Sequence, residues 1–350
     1  GGRTSTLSSV AISQVLSSDF DHAEEKDRKI LVFTNSVQDA AHQAGFYEAR
    51  TFRFLFRQSM QQYINSLDKP VNVAELQEGF KKCWKERLSE DDYYNRFLPA
   101  DLATHIDLRH NYREGSVCRP SFKDEFDIRV DWEIVSESGL TSQLGRTLEK
   151  TGSSATFFKS DEISKVYDLM KDFLVNNQLE YVAEDERTFC HFVYGILQRM
   201  RRHGAVDHPF LEKYRNEALT LWAWNWKFDI RHFLNRMFGG SVRFPKLIGI
   251  NYLDRNSEML DMAALKREKP NWFTNYFWRH FNWPIERNLT LYNDFIRELF
   301  SKMEKVGLVN KASQGGGNYV INPEHIWVSK NVKHIKCSNC QSTLYIAKGD

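Results

Sequence analysis

The sequence predicts a mixed, mainly α fold, and three observations carry that expectation. A single short apolar run, Lys29-Ile-Leu-Val-Phe33, opens into a polar turn and a helix-like segment. From Val37 towards Leu67, and again from residue 160, apolar residues recur at three- and four-residue intervals, the period of a helix buried on one side. Near the end a glycine-rich segment and strand-like runs replace that period. Of 350 residues, 41% are hydrophobic and 14% aromatic, enough for two or three packed cores rather than a disordered chain.

The first element is an α/β unit. Residues 3–19 carry Leu7, Val10, Ala11 and Val15 at helical spacing, and 19–28 is a charged loop. Residues 29–33 read as a buried parallel strand. Thr34, Asn35 and Ser36 then leave the sheet, and the Ser36 hydroxyl can accept an orphan N–H of the helix that starts at Val37. A strand end that meets a helix N-terminus is where α/β sheets present groups to ligands. Phe46, Ala49, Phe52, Phe56, Met60 and Tyr63 extend the helix until Asp68-Lys-Pro70. Ala74 to Leu88 reads as a further helix, and Glu90 to Tyr94 as an acidic helix start or loop.

The wording of the run from Lys29 to Phe46 resembles motif IV of the second RecA-like domain in large superfamily 2 DNA helicases. The branch is the DEAD/DEAH-box-like helicases with a zinc-binding C-terminal domain, including those of bacterial anti-phage systems such as Druantia and DISARM. Phe33, Asn35, Gln38, Asp39, Ala40, Ala41, His42, Ala44, Gly45 and Phe46 carry the match. Val130 to Glu133, Gly139 to Gly152 and His191 to Arg202 are similar to later blocks of the same proteins. The resemblance implies a partial RecA-like element with motif IV residues Phe33, Asn35, Ser36, Gln38 and Asp39. It also implies ATP and Mg²⁺ as cofactors of the parent protein, with DNA, the rest of the helicase chain and other subunits of the defence system as partners.

An ATP-driven motor also needs a glycine-rich phosphate loop ending in Gly-Lys-Ser/Thr and an acidic pair for Mg²⁺. No such loop occurs, and no Asp-Glu-Ala-His or similar acidic pair follows an apolar strand. The expectation is therefore an internal slice of a helicase that does not hydrolyse ATP alone. A net charge of +2 leaves nucleic-acid binding to local clusters. Five scattered cysteines do not form a secreted disulfide framework, and no apolar stretch approaches the roughly 20 residues that span a bilayer. A cytoplasmic location without membrane contact is expected.

Two clusters carry the nucleic-acid expectation. Thr188 to Arg202 reads as an amphipathic helix with Phe189, Phe192, Val193, Ile196, Leu197 and Met200 on one face, stopped by Gly204. Its end holds Arg199, Arg201 and Arg202, which suit phosphates and equally suit the negative end of the helix dipole. The second cluster follows a helix with Leu291, Phe295, Leu299 and Met303 on one face. Lys302 and Lys305 lead into a Val306-Gly-Leu-Val309 turn, then Lys311, the glycine-rich 312–318 and a strand-like run from Tyr319 to Trp327. Helix, strand, glycine-rich tip and returning strand is the order of a winged helix, whose tip approaches a phosphate backbone because glycine has no Cβ. Protein docking is the other use of the same module. Trp222 and Trp226 share a helix face and read as packing aromatics or as a base-stacking platform.

Cys337-Ser-Asn-Cys340 is a metal-type pair, since two thiolates at this spacing can share one tetrahedral Zn²⁺. It reads as half of a zinc ribbon and supplies two of four ligands. The expected organisation is a partial RecA-like domain at 3–70, a connecting insertion at 71–155 and a helical, winged-helix-like domain at 156–285. A winged-helix-like element at 286–332 and the start of a zinc ribbon at 333–350 complete it. The alternative function is a helical, winged-helix-like docking scaffold with no nucleotide role.

Overall fold

Helices dominate, joined by strands of at most five residues. A computed structural model describes residues 37–98, 120–139, 147–179, 182, 185–209, 247–249, 259–261, 272–282, 289–311, 318–336, 338 and 343–348. In chain order these form α1 (Val37–Ser66), β1 (Val71–Asn72), α2 (Val73–Arg87), α3 (Glu90–Phe97), α4 (Pro120–Gly139), β2 (Ala155–Phe157), α5 (Ser160–Asn176) and α6 (Glu186–Arg202). Then come β3 (Leu247–Gly249), β4 (Met259–Asp261), α7 (Trp272–Phe281), α8 (Leu289–Val306), β5 (Val309–Lys311), β6 (Asn318–Ile321), β7 (Trp327–Ser329), β8 (Val332–Lys336) and β9 (Thr343–Ala347). The mixed, mainly α class expected from the sequence is what the described residues form. The apolar strand at 29–33 lies outside them.

Two units divide the chain. The first contains Gly1–Ser66, Phe80–Val130 and Leu219–Val242. Its described core is aromatic: Phe56 on α1, Phe80 and Trp84 on α2, Tyr93, Tyr94 and Phe97 on α3, and Phe126 on α4 are all buried. Phe80 meets Phe97 with centroids 5.2 Å apart and Tyr94 meets Phe126 at 4.8 Å, both edge-on, the arrangement favoured by ring quadrupoles. The acidic run at 90–94 is a helix start. The Ser89 hydroxyl accepts the Asp92 N–H at 3.1 Å, and three carboxylates in the first turn offset the dipole.

The second unit contains Leu67–Gly79, Asp131–Ala218 and Arg243–Asp350. The start of α2 is fixed by a capping box. The Asn72 side chain accepts the Glu75 N–H at 2.8 Å, and Glu75 reaches back to the Asn72 N–H at 3.4 Å. β1 and β2 flank β7 in an antiparallel sheet, with Val71 opposite Val328 and Phe157 opposite Trp327. Around Phe295 of α8, fully buried, gather Phe173 of α5, Phe189 and Phe192 of α6 and Phe277 of α7, with ring centroids 5.1–6.4 Å away.

Two helices in this unit end alike. Gly204 (φ 86°) follows α6 and Gly307 (φ 87°) follows α8. In each the next N–H returns to a carbonyl five residues back, Ala205 to Met200 at 3.0 Å and Leu308 to Met303 at 3.0 Å. Only glycine takes that left-handed turn without strain. Past Gly307 the chain enters an antiparallel hairpin, Val309 opposite Ile321 and Lys311 opposite Tyr319. β6 also pairs with β3, and Val206 bridges to Ile321. A second hairpin, β8–β9, runs in register from Val332–Ala347 to Lys336–Thr343 and packs Ala347 against Ala155 and Phe157. Among the described residues no helix is long and apolar enough to cross a membrane.

Candidate nucleic-acid interface

The end of α6 holds the three expected arginines, but they are not equivalent. Phe189, Phe192, Val193, Ile196, Leu197 and Met200 are buried, as the period requires. Arg201 falls on the same side and is itself fully buried. Its Nη1 and Nη2 donate to the two oxygens of Glu149 at 2.7 and 3.0 Å. Nε and Nη2 also donate to Gln198 Oε1 at 3.0 and 2.7 Å, and Nη1 reaches the Ser138 carbonyl. A guanidinium bonded in this way is a structural cation. The placing of Arg201 on a phosphate-facing surface is corrected: its donors are spent internally.

Glu149 is the residue that sequence reasoning missed. Burial by itself would raise its carboxyl, but the charge and hydrogen bonds of Arg201, helped by Arg202 and Lys150, hold it below the usual carboxylate value of 4.5. The carboxylate is also 3.6 Å from Arg202 Nη2. Its acidic character was visible in the sequence; its partner 52 residues away was not.

Arg199 and Arg202 remain as the outward pair. Burial, followed by repulsion from Arg202, lowers the Arg199 pKa. Burial and then the charge of Arg201 lower that of Arg202, against the opposing charges of Glu149 and Tyr194. The Arg199 guanidinium carbon lies 4.8 Å from the centre of the Trp272 ring on α7, within cation–π range. The side chain of Arg202 is about half exposed.

The helix–hairpin cluster places its lysines differently again. Lys302 pairs with Glu298 one turn back at 2.6 Å, and Lys311 on β5 pairs with Glu304 at 3.0 Å. A hydrogen bond from Glu304, then its charge, raises the Lys311 pKa. Lys305 is exposed. Solvent-screened pairs of this kind are weak, so a phosphate can displace the carboxylate. The glycine-rich tip at 312–317 lies outside the described residues, as do Trp222 and Trp226.

The motif IV positions are only partly described. Phe33, Asn35 and Ser36 lie outside the described residues; Gln38 and Asp39 fall in the first turn of α1, known there as backbone. Cys337 and Cys340 also lie outside them, between β8 and β9 in the sequence. His334 is exposed on β8 opposite Tyr345. Two thiolates leave half a tetrahedron to water, so this chain is expected to lose Zn²⁺ to a mild chelator. Metal analysis after dialysis checks this, and one tightly retained Zn²⁺ per chain would demand further ligands, His334 first.

Comparison with known proteins finds no relative: no family model, curated protein or solved structure matches the chain.

Proposed function

We propose that this chain is a DNA-gripping segment of an ATP-dependent helicase or translocase of the bacterial anti-phage type. It contributes motif IV of a second RecA-like domain, and beyond it helical and winged-helix-like modules that hold DNA by its phosphates. The motif IV wording from Lys29 to Phe46 carries the helicase part. The observation that carries the gripping part is the helix–hairpin at 289–321. There α8 ends in a glycine turn, Lys302 and Lys305 lie in its last two turns and Lys311 on β5, and the glycine-rich stretch 312–317 separates β5 from β6 in the sequence. With the Arg199–Arg202 pair these are surface cations suited to phosphates rather than bases, so the expected grip is independent of sequence.

The docking-scaffold reading keeps one observation in its favour. Lys302 and Lys311 already have carboxylate partners, which a phosphate must displace.

DNA-stimulated ATP hydrolysis tests the helicase reading. The 350-residue chain alone is expected to show none, because it encodes no phosphate loop and no acidic pair after an apolar strand to hold Mg²⁺. In a longer protein that carries this segment with the missing motifs, Gln38→Ala or Asp39→Ala should cut the DNA-stimulated rate without altering the melting temperature. Turnover by the short chain, or full activity of both variants, contradicts the assignment.

A further inference from the structure

Arg199 does not stand alone on its helix. Trp272 stacks on Tyr276 with centroids 4.8 Å apart and planes 15° apart, and Tyr276 stacks on Phe192 at 5.2 Å and 11°. Arg199, Trp272, Tyr276 and Phe192 thus form one column along the facing sides of α6 and α7. Its inner end, Phe192, is buried, while Trp272 is 39% exposed. The middle of the column depends on Gly195. A Cβ there would collide with the Tyr276 phenol. Glycine is a poorer helix former than alanine, so Gly195 gives up helix stability and allows the close approach.

The chemistry at the outer end is unusual for a packing cluster. Arg199 lies over a ring, and its Nε is shielded from solvent without a hydrogen-bond partner. Among the described residues no carboxylate pairs with it. The neighbouring charge, Arg202, repels it. A purely structural arginine has its donors filled, as Arg201 does two residues further along the helix. A guanidinium held over an indole instead offers a planar surface to a base and N–H groups to a phosphate.

We infer that the Arg199–Trp272 end of this column is a stacking site for single-stranded nucleic acid. An unpaired base extends the stack, and its phosphate is held by Arg199 and Arg202. A paired base in a duplex has both faces covered and cannot join the column. The site therefore selects single strands, whereas the lysines of the helix–hairpin do not. The inference rests on the nucleic-acid reading of Arg199 and Arg202 and adds its strand preference. Trp278, also on α7 and 47% exposed, has no cation stacked on it among the described residues and serves as the control.

The experiment is fluorescence anisotropy with the full chain against labelled oligo-dT, oligo-U and a duplex of equal length, across a salt series. Trp272→Ala should weaken single-strand binding on the order of tenfold, the scale of one base–aromatic stack, with duplex binding and salt slope unchanged. Arg199→Ala should flatten the single-strand slope by about 0.7, the release from one phosphate contact. Arg199→Lys keeps the charge and the slope but loses the single-strand preference. Trp278→Ala should bind as the unaltered chain. Equal losses on oligo-dT and oligo-U support a site that reads base and phosphate alone, and a loss on only one supports a site that also reads the sugar or the thymine methyl. Should Trp272→Ala destabilise the protein, Arg199→Lys decides, because it leaves the aromatic packing in place. Unchanged single-strand affinity in a stable Trp272→Ala, or an unaltered strand preference in Arg199→Lys, overturns the inference while duplex gripping stands. Failure of the unaltered chain to bind any of the three probes overturns both.

Discussion

Replacing Glu149 with alanine should lower the unfolding free energy by about 3–5 kcal/mol, because it leaves the buried Arg201 cation without its counter-charge. Arg201 is fully buried, so water cannot replace the lost carboxylate. Replacing both partners, Glu149→Leu with Arg201→Met, should cost less than either single change, since neither charge is then left buried without the other. The pH dependence has a defined sign. Folding lowers the Glu149 pKa from its ordinary 4.5, so the pair's contribution is complete above that value. It is lost as pH falls from about 4.5 through the lower folded-state pKa. Denaturant titrations at neutral pH and at progressively lower pH check both statements. Glu149→Gln should flatten the acid limb; an acid limb as steep as that of the unaltered chain would mean that other carboxylates control it.

The second large effect is on affinity. Removing Arg199 and Arg202 together should weaken DNA binding by on the order of a hundredfold near 0.1 M salt, from about tenfold per phosphate contact released. The lysines should follow in a definite order. Lys305→Ala is expected to cost more than Lys302→Ala or Lys311→Ala, since those two must first leave Glu298 and Glu304. Losses should be alike for unrelated DNA sequences. Arg201 substitutions should change stability and leave the salt slope of the folded protein unaltered.

Much of the helical architecture was legible because one face of each helix is buried. The period through Phe189, Phe192, Ile196 and Met200 defines α6, and Leu291, Phe295, Leu299 and Met303 define α8. Glycines 204 and 307 mark their ends by chemistry that only glycine supplies. Helix α4 was not legible for the opposite reason. From Trp132 to Ser138 every residue is buried, Glu133, Ser136 and Glu137 included, so no polar face alternates with an apolar one. The three-stranded sheet escaped because its strands are two or three residues long and pair across the chain, Val71 with Val328. At the candidate site the residue types were readable and their partners were not. Arg199, Arg201 and Arg202 look alike in sequence; a distant glutamate and a distant tryptophan separate a structural cation from a surface one.

The most direct test of phosphate gripping is the salt dependence of DNA affinity for the unaltered chain. A straight fall of log affinity with log salt, with a slope of roughly −2 to −4 on duplex, is predicted for a few phosphate contacts at about −0.9 each, flattening by close to 2 when Arg199 and Arg202 are both alanine. Affinity that ignores salt, or a slope that the double variant leaves unchanged, would contradict it and return the α6 end and the helix–hairpin to protein docking.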